Sequence, residues 1–168
     1  MSGKTFRIIH GDIADLECEA IVNAWNRNLI PWFLLFPQGV SGAIKRKGGN
    51  KIFRELMGKG MIPLGQAVYT NAGRLKAKYV IHVASLDLLW RASERSIRDS
   101  TRNALELALQ LGVSEIALPL IGTGIGGFSP SQAYMLMKAE IDKYTDKFIR
   151  IYLVIYDRIS LQFEYSCN

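Results

Sequence analysis

The chain has 168 residues, 49% of them hydrophobic, enough for one buried core and, by length, a single domain spanning residues 1–168. Twenty-one Lys and Arg against fifteen Asp and Glu leave a net charge of +6, which favours an anionic partner without naming it. Two cysteines, Cys18 and Cys167, have neither a C-x-x-C spacing nor a nearby histidine, and no apolar run approaches the roughly 18 residues of a membrane span, so a disulfide scaffold, a zinc motif and a membrane-spanning helix are excluded.

In chain order, β-rich runs alternate with helical patterns. "TFRIIH" (5–10) is a predicted strand reached without a charged-then-apolar leader, and "HGDI" places Asp12 just past it. A reduced, cytoplasmic monomer without metal or cofactor is therefore expected. "AIVNA" (20–24) is a second strand, with Asn23 and Asn26 of "VNAWN" at its end. The stretch "RNLIPWFLLFPQ", Arg27 to Gln38, is too apolar for an ordinary surface loop. Trp32, Phe33, Leu34, Leu35 and Phe36 either fold onto the core, close over a ligand as a lid, or form a docking patch.

A glycine turn with Gly39 and Gly42 then opens a helix over 40–57. Between residues 45 and 59 it gathers Lys45, Arg46, Lys47, Lys51, Arg54 and Lys59, either a solvated helix face or a nucleic-acid patch. Strands follow at "AVYTN" (67–71) and "YVIHVA" (79–84), then a helix over 93–111 with an apolar stripe closed by Gly112. "EIALPLI" (115–121), a helix over 130–144 and "FIRIYLVIY" (148–156) complete the pattern. Near-continuous apolar strands alternating with helices imply an α/β three-layer α/β/α sandwich, with a mixed, mostly parallel central sheet of about six strands. Ligands of such sheets bind beyond the carboxyl ends of the strands.

The run "PLIGTGIGGFSPSQ" (119–132) lies at such an end. Glycines let bare amides approach a ligand, and a helix start adds unpaired amides and a positive dipole, so phosphate suits the loop. Ser129, Pro130 and Gln132 spell a capping box with proline at the first helical position. Gly122, Gly124 and Gly127 also spell G-x-G-x-x-G, but the acid that should end the next strand is missing, since Glu140 and Asp142 fall in the following helix. A phosphate cradle of a fold other than the dinucleotide-binding one, or a plain glycine turn, remains. Asp12, Asn23, Asn26, Gly39 and Gly42 each have a local alternative as turn caps, loop amides or packing glycines. Together they form a polar ligand site with two anion cradles.

"GDI" (11–13), "AIVNAWN" (20–26), "GVSGAI" (39–44), "GQAVYTNAGRLKAKYVIHVA" (65–84) and "PLIGTGIGG" (119–127) resemble the macrodomain family, in the family's usual order and over roughly residues 6 to 157. The resemblance implies an α/β/α module for ADP-ribose, free or attached to a macromolecule; some members hydrolyse ADP-ribosyl esters, O-acetyl-ADP-ribose or ADP-ribose 1''-phosphate. It implies that Asp12 accepts from the adenine amino group, that the Ile13 backbone touches the same ring, and that Asn26 bonds the distal ribose. By the same resemblance, amides around Val40, Ser41, Thr123, Gly124, Ile125 and Gly126, in the loops that include Gly39, Gly42, Gly122 and Gly127, hold the diphosphate. Phe128 then packs on the distal ribose.

There are three departures from the family pattern. Hydrolytic members of the MacroD-like branch read G-G-G-V-D-G in the first loop, with the Asp helping to activate water; here "PQGVSG" places Ser41 there. Serine needs a His or carboxylate partner to act as a base, and Asn26 to Ile44 contains neither, so Asn26 and Ser41 are the catalytic candidates and hydrolysis is expected to be slow or absent. His10 and His82 are expected to be structural. Gly126 stands where many members carry an aromatic residue, with Tyr156 and Phe128 as possible substitutes, and the 27–38 stretch is longer than the family's short link. Binding of ADP-ribose is the leading expectation, ADP-ribosyl or O-acetyl-ADP-ribose hydrolysis the second, and RNA or poly(ADP-ribose) binding through 45–59 the third.

Overall fold

The computed structural model describes residues 5–31, 33–34 and 38–156. Its strands are β1 (Phe6–His10), β2 (Ala20–Trp25), β3 (Ala67–Asn71), β4 (Tyr79–Ala84), β5 (Glu115–Pro119) and β6 (Arg150–Ile155). Its helices are α1 (Gly39–Gly48), α2 (Asn50–Met57), α3 (Glu94–Gln110) and α4 (Pro130–Ile141). The sheet order is β1-β6-β5-β2-β4-β3. Every neighbouring pair is parallel except β3 with β4. Five strands therefore bring their carboxyl ends to one edge, where the β1, β2, β4 and β5 loops and the segment after β6 meet.

The sheet is covered on both faces, as the apolar strands require. Ile97, Ala104, Leu105 and Ala108 of α3 and Ala133, Met137 and Ile141 of α4 close one core. Ala43 and Ile44 of α1 and Ile52, Phe53 and Leu56 of α2 close the other. Side chains alternate between them: Ala20 and Val22 of β2 face the α3–α4 core, Ile21 and Trp25 the α1–α2 core. This is the expected α/β/α sandwich.

Two local expectations change. The helix over 40–57 is two helices, because Gly49 adopts φ +92, a left-handed conformation that ends α1 and starts α2. The capping box before α4 does not form: Pro130 holds the first helical position, but the Ser129 side chain makes no cap bond and pairs instead with Ser131, Oγ to Oγ 3.0 Å. Of the two histidines, His82 is buried in β4 whereas His10 is exposed at the end of β1.

The 27–38 stretch does not join the core in its described part. Phe33 and Leu34 are 58% and 63% exposed, and Leu29 and Ile30 are also exposed. Trp32, Leu35 and Phe36 lie outside the described residues, as does Cys167. Cys18 is buried, and burial pushes its thiol up to about 12, which removes it as a nucleophile at neutral pH. No helix among the described residues is long and apolar enough to cross a membrane.

Candidate functional site

A cleft of about 590 Å³ opens at the carboxyl edge of the sheet. The β2 end and the start of α1 contribute Trp25, Asn26, Gln38, Gly39, Val40 and Ser41. The β5 loop contributes Leu120 and Gly122 to Gly126, the β4 loop Ser85, Leu86 and Trp90, and β6 with the residue that follows it Val154 and Tyr156. Among the described residues, none that lines it is charged.

Main-chain donors supply the polarity. The amides of Gly39, Val40 and Ser41 head α1 and have no acceptor within the helix. Gln38 makes no side-chain cap bond and the first turn has no acid. Gly42 differs, since its amide already donates to Gln38 O (3.2 Å). Opposite, Gly127 N donates to Gly124 O (3.1 Å) and Phe128 N to Gly122 O (3.0 Å), folding the β5 loop so that the amides of residues 123–126 stay free of partners among the described residues. Gly122 has φ +88, and a Cβ there would lie 2.9 Å from Ile97 Cδ1, so a larger residue cannot hold this turn against α3.

Beneath the cleft runs a buried polar chain. The Ser41 hydroxyl donates to Asn23 Oδ1 (2.7 Å), and Asn23 Nδ2 donates to His82 Nδ1 (3.1 Å). His82 Nδ1 is thus the lone-pair nitrogen, so Nε2–H donates to Thr70 Oγ1 (2.9 Å), whose hydroxyl donates to Asn71 O (3.0 Å). Burial, with the charge of Lys59 adding to it, pulls His82 down to about 3 and keeps the ring neutral. The proton of Ser41 is thus committed to an amide oxygen, and His82 meets Ser41 only through Asn23; the serine has no base. Ser41→Ala should destabilise the fold by about 1–3 kcal/mol by orphaning Asn23 Oδ1. The check is a urea titration, where an unchanged midpoint would refute the network.

The sequence-predicted residues divide accordingly. Asn26, Gly39, Val40, Ser41, Gly122, Thr123, Gly124, Ile125, Gly126 and Tyr156 line the cleft; Asp12, Ile13, Asn23, Gly42, Gly127 and Phe128 are not among the lining residues. Asn23 belongs to the buried chain, and Phe128 packs against the α3–α4 core. The side chain of Asn26 accepts from Asn28 N (2.7 Å). Asp12 caps a 3-10 turn (Ile13–Asp15) by accepting from Ala14 N (2.9 Å), and its other oxygen accepts from Lys47 Nζ (2.8 Å), which also reaches Asp15 (2.7 Å). None of the six cations of 45–59 lines the cleft. Sequence reasoning missed Trp25, Ser85, Leu86 and Trp90; a run of large apolar residues, Leu88-Leu89-Trp90, in a loop at a strand's carboxyl end was the available signal.

A family model described as the Macro domain matches residues 22–137. A Citrobacter rodentium protein named O-acetyl-ADP-ribose deacetylase is 37% identical over 161 residues, covering 89% of this chain and 87% of that one. An Aquifex aeolicus protein is 39% identical over 84% of this chain and 83% of its own. A Thermotoga maritima protein is 39% identical over 86% of this chain, which spans only 24% of that longer relative. Among solved structures, a Trypanosoma brucei macrodomain in complex with ADP-ribose superposes with a TM-score of 0.81 at 24% identity, over 98% of this chain and 69% of that one. An Oceanobacillus iheyensis macrodomain with ADP superposes with a TM-score of 0.78 at 23% identity, over 96% and 89%.

Proposed function

Because this chain belongs to the Macro domain family, we propose that it binds ADP-ribose, free or attached to a macromolecule, in the cleft at the carboxyl edge of the sheet. The observation that carries this reading is the pairing of two sets of amides, 39–41 and 123–126, without partners among the described residues, in a cleft where none of the described lining residues is charged. Main-chain donors and the α1 dipole suit a diphosphate, which they neutralise without a lysine or a metal. In this reading the adenine lies toward Asp12 and Tyr156, beyond β1 and β6, and the distal ribose toward Asn26, beyond β2. Asp12 already holds two donors, and a carboxylate has room for a third from the adenine amino group.

The deacetylase-named relative supports a second reading, hydrolysis of O-acetyl-ADP-ribose or an ADP-ribosyl ester. Among the described residues no histidine or carboxylate lines the cleft, and the Ser41 hydroxyl donates to Asn23, so none of them offers general base help. Turnover would rest on water held by the substrate's own phosphate and would be slow.

Calorimetry with ADP-ribose, ADP and AMP, beside a release assay with O-acetyl-ADP-ribose, tests both readings. One-to-one binding of ADP-ribose, tighter than AMP, is expected. Asp12→Ala should weaken it by about 1–3 kcal/mol, the range for a hydrogen bond to a charged group. Undiminished affinity in the folded variant would remove Asp12 from the adenine site, and rapid acetate release by the parent would overturn the binding-only reading.

A further inference from the structure

The loop between β4 and α3 holds a conformation that its sequence does not favour. Trp90 has φ +60, a left-handed backbone that a bulky residue rarely adopts; Asn28, the other non-glycine residue with positive φ among the described residues, is of a type that tolerates it. The conformation is imposed by the surroundings. Asp87 Oδ1 accepts from Leu89 N (2.8 Å) and Arg91 N (2.9 Å), Asp87 N donates to Arg91 O (3.0 Å), and Trp90 N donates to Asp87 O (3.1 Å). Ala92 N donates to Gly126 O (3.3 Å), tying this loop to the glycine loop. Strain kept by such redundant bonding marks a side chain held in place for a purpose.

The side chain so held is a half-buried indole lining the cleft, with no partner for its N–H among the described residues. Across from it the glycine loop has no side chain to offer at Gly126, where a Cβ would meet Gly122 O at 2.7 Å and Ala92 Cβ and Leu86 Cδ2 at 2.9 Å. The sheet order runs from β1 and β6 through β5 and β2 to β4, so the loop that carries Trp90 springs from the side of the sheet away from Asp12 and Tyr156, and it leans on the glycine loop through Ala92. A nucleotide with its adenine at the β1–β6 end turns its other terminus to Trp90.

We propose that Trp90 is a ligand-binding residue, the apolar wall against which the distal ribose of ADP-ribose packs, so that it separates ADP-ribose from ADP. The inference rests on the binding reading above. The ring face covers the apolar side of a sugar, and the indole N–H is free to donate to one of its hydroxyls.

The test is the ratio of dissociation constants for ADP-ribose and ADP, measured by calorimetry on the parent, Trp90→Ala and Trp90→Phe. Trp90→Ala should weaken ADP-ribose by about tenfold and leave ADP within about twofold, while Trp90→Phe keeps most of the discrimination. A purely structural role would weaken both ligands together, and that result, or an unchanged ratio, overturns the proposal. If Trp90→Ala fails to fold, tryptophan emission decides: because Trp25 also lines the cleft, the quantity read is the emission change that Trp90→Phe removes, which should appear with ADP-ribose and not with ADP; an equal loss for both ligands, or no loss, refutes the wall. A parent that binds ADP as tightly as ADP-ribose sinks the wall and leaves the adenine–diphosphate reading standing, whereas binding of neither removes both.

Discussion

Gly124→Glu is expected to abolish ADP-ribose binding in a protein that remains folded. Unlike Gly122, Gly124 is outside the left-handed region, and a Cβ built on it meets no heavy atom within 4 Å, so the free protein accommodates a side chain there. The open space is the cleft itself, which Gly124 lines. A glutamate would fill the room a diphosphate needs and set a carboxylate beside it. At about 5 Å, and with the effective dielectric of a partly exposed site, each like-charge pair costs about 3 kcal/mol, so two phosphates and the lost volume remove any measurable affinity. Calorimetry beside a thermal melt makes the comparison, with Gly124→Ala as the near-neutral control. Parent-like affinity in a folded Gly124→Glu protein would remove the glycine loop from the site. Gly122→Ala should instead lower the melting temperature, because its Cβ meets Ile97 Cδ1 at 2.9 Å and its φ is +88.

The second large effect is on stability against pH. Burial holds His82 at about 3 in the folded protein, below its ordinary value of 6.5, so the unfolded chain binds the extra proton first as pH falls. Its contribution is complete above pH 6.5 and is lost as pH falls toward 3, with a slope approaching about 1.4 kcal/mol per pH unit well inside that window. Glu19 adds to the loss only lower down. Hydrogen bonds from Lys78, and then from Ser114, hold its carboxyl at about 2 instead of 4.5, so its contribution fades between those values. The interval from pH 6.5 to 4.5 therefore isolates the histidine. Urea titrations at pH 7, 6 and 5 should show the parent losing stability steadily. His82→Gln, whose amide can still bridge Asn23 and Thr70, should be nearly flat over the same range. Parallel curves would mean that His82 becomes protonated without unfolding the network around it.

Much of the fold was legible in the chain. The six apolar runs became the six strands with ends displaced by only a few residues, because a strand covered on both faces needs an unbroken apolar stretch and turn residues at its ends. Gly112 did close α3, with φ +70 and its amide on Leu109 O at 3.0 Å. The glycine loop and the "GVSG" segment were legible for a similar reason: amides left without partners at a cleft need small residues at fixed places along a short segment. Gly49 was misread because helical periodicity continues across it, while its own φ ends the first helix.

By itself, then, the sequence determined the α/β/α class, the strands and helices, and the two amide loops, since each follows from neighbours a few residues apart. Only the tertiary structure decided which side chains face the cleft. Ser41 and Asn23 are 18 positions apart, and Asn23 and His82 are 59 apart. No local pattern says that Asn23 turns inward to a neutral histidine and accepts the serine's hydroxyl hydrogen bond. Asp12 was legible as a strand-end acid, but its bond to Lys47 depends on how α1 packs against the turn after β1. Trp90 was the least legible residue of the cleft, because its place follows from the order of the strands, and its backbone is held by Asp87 and by a bond between two loops that the sheet brings together.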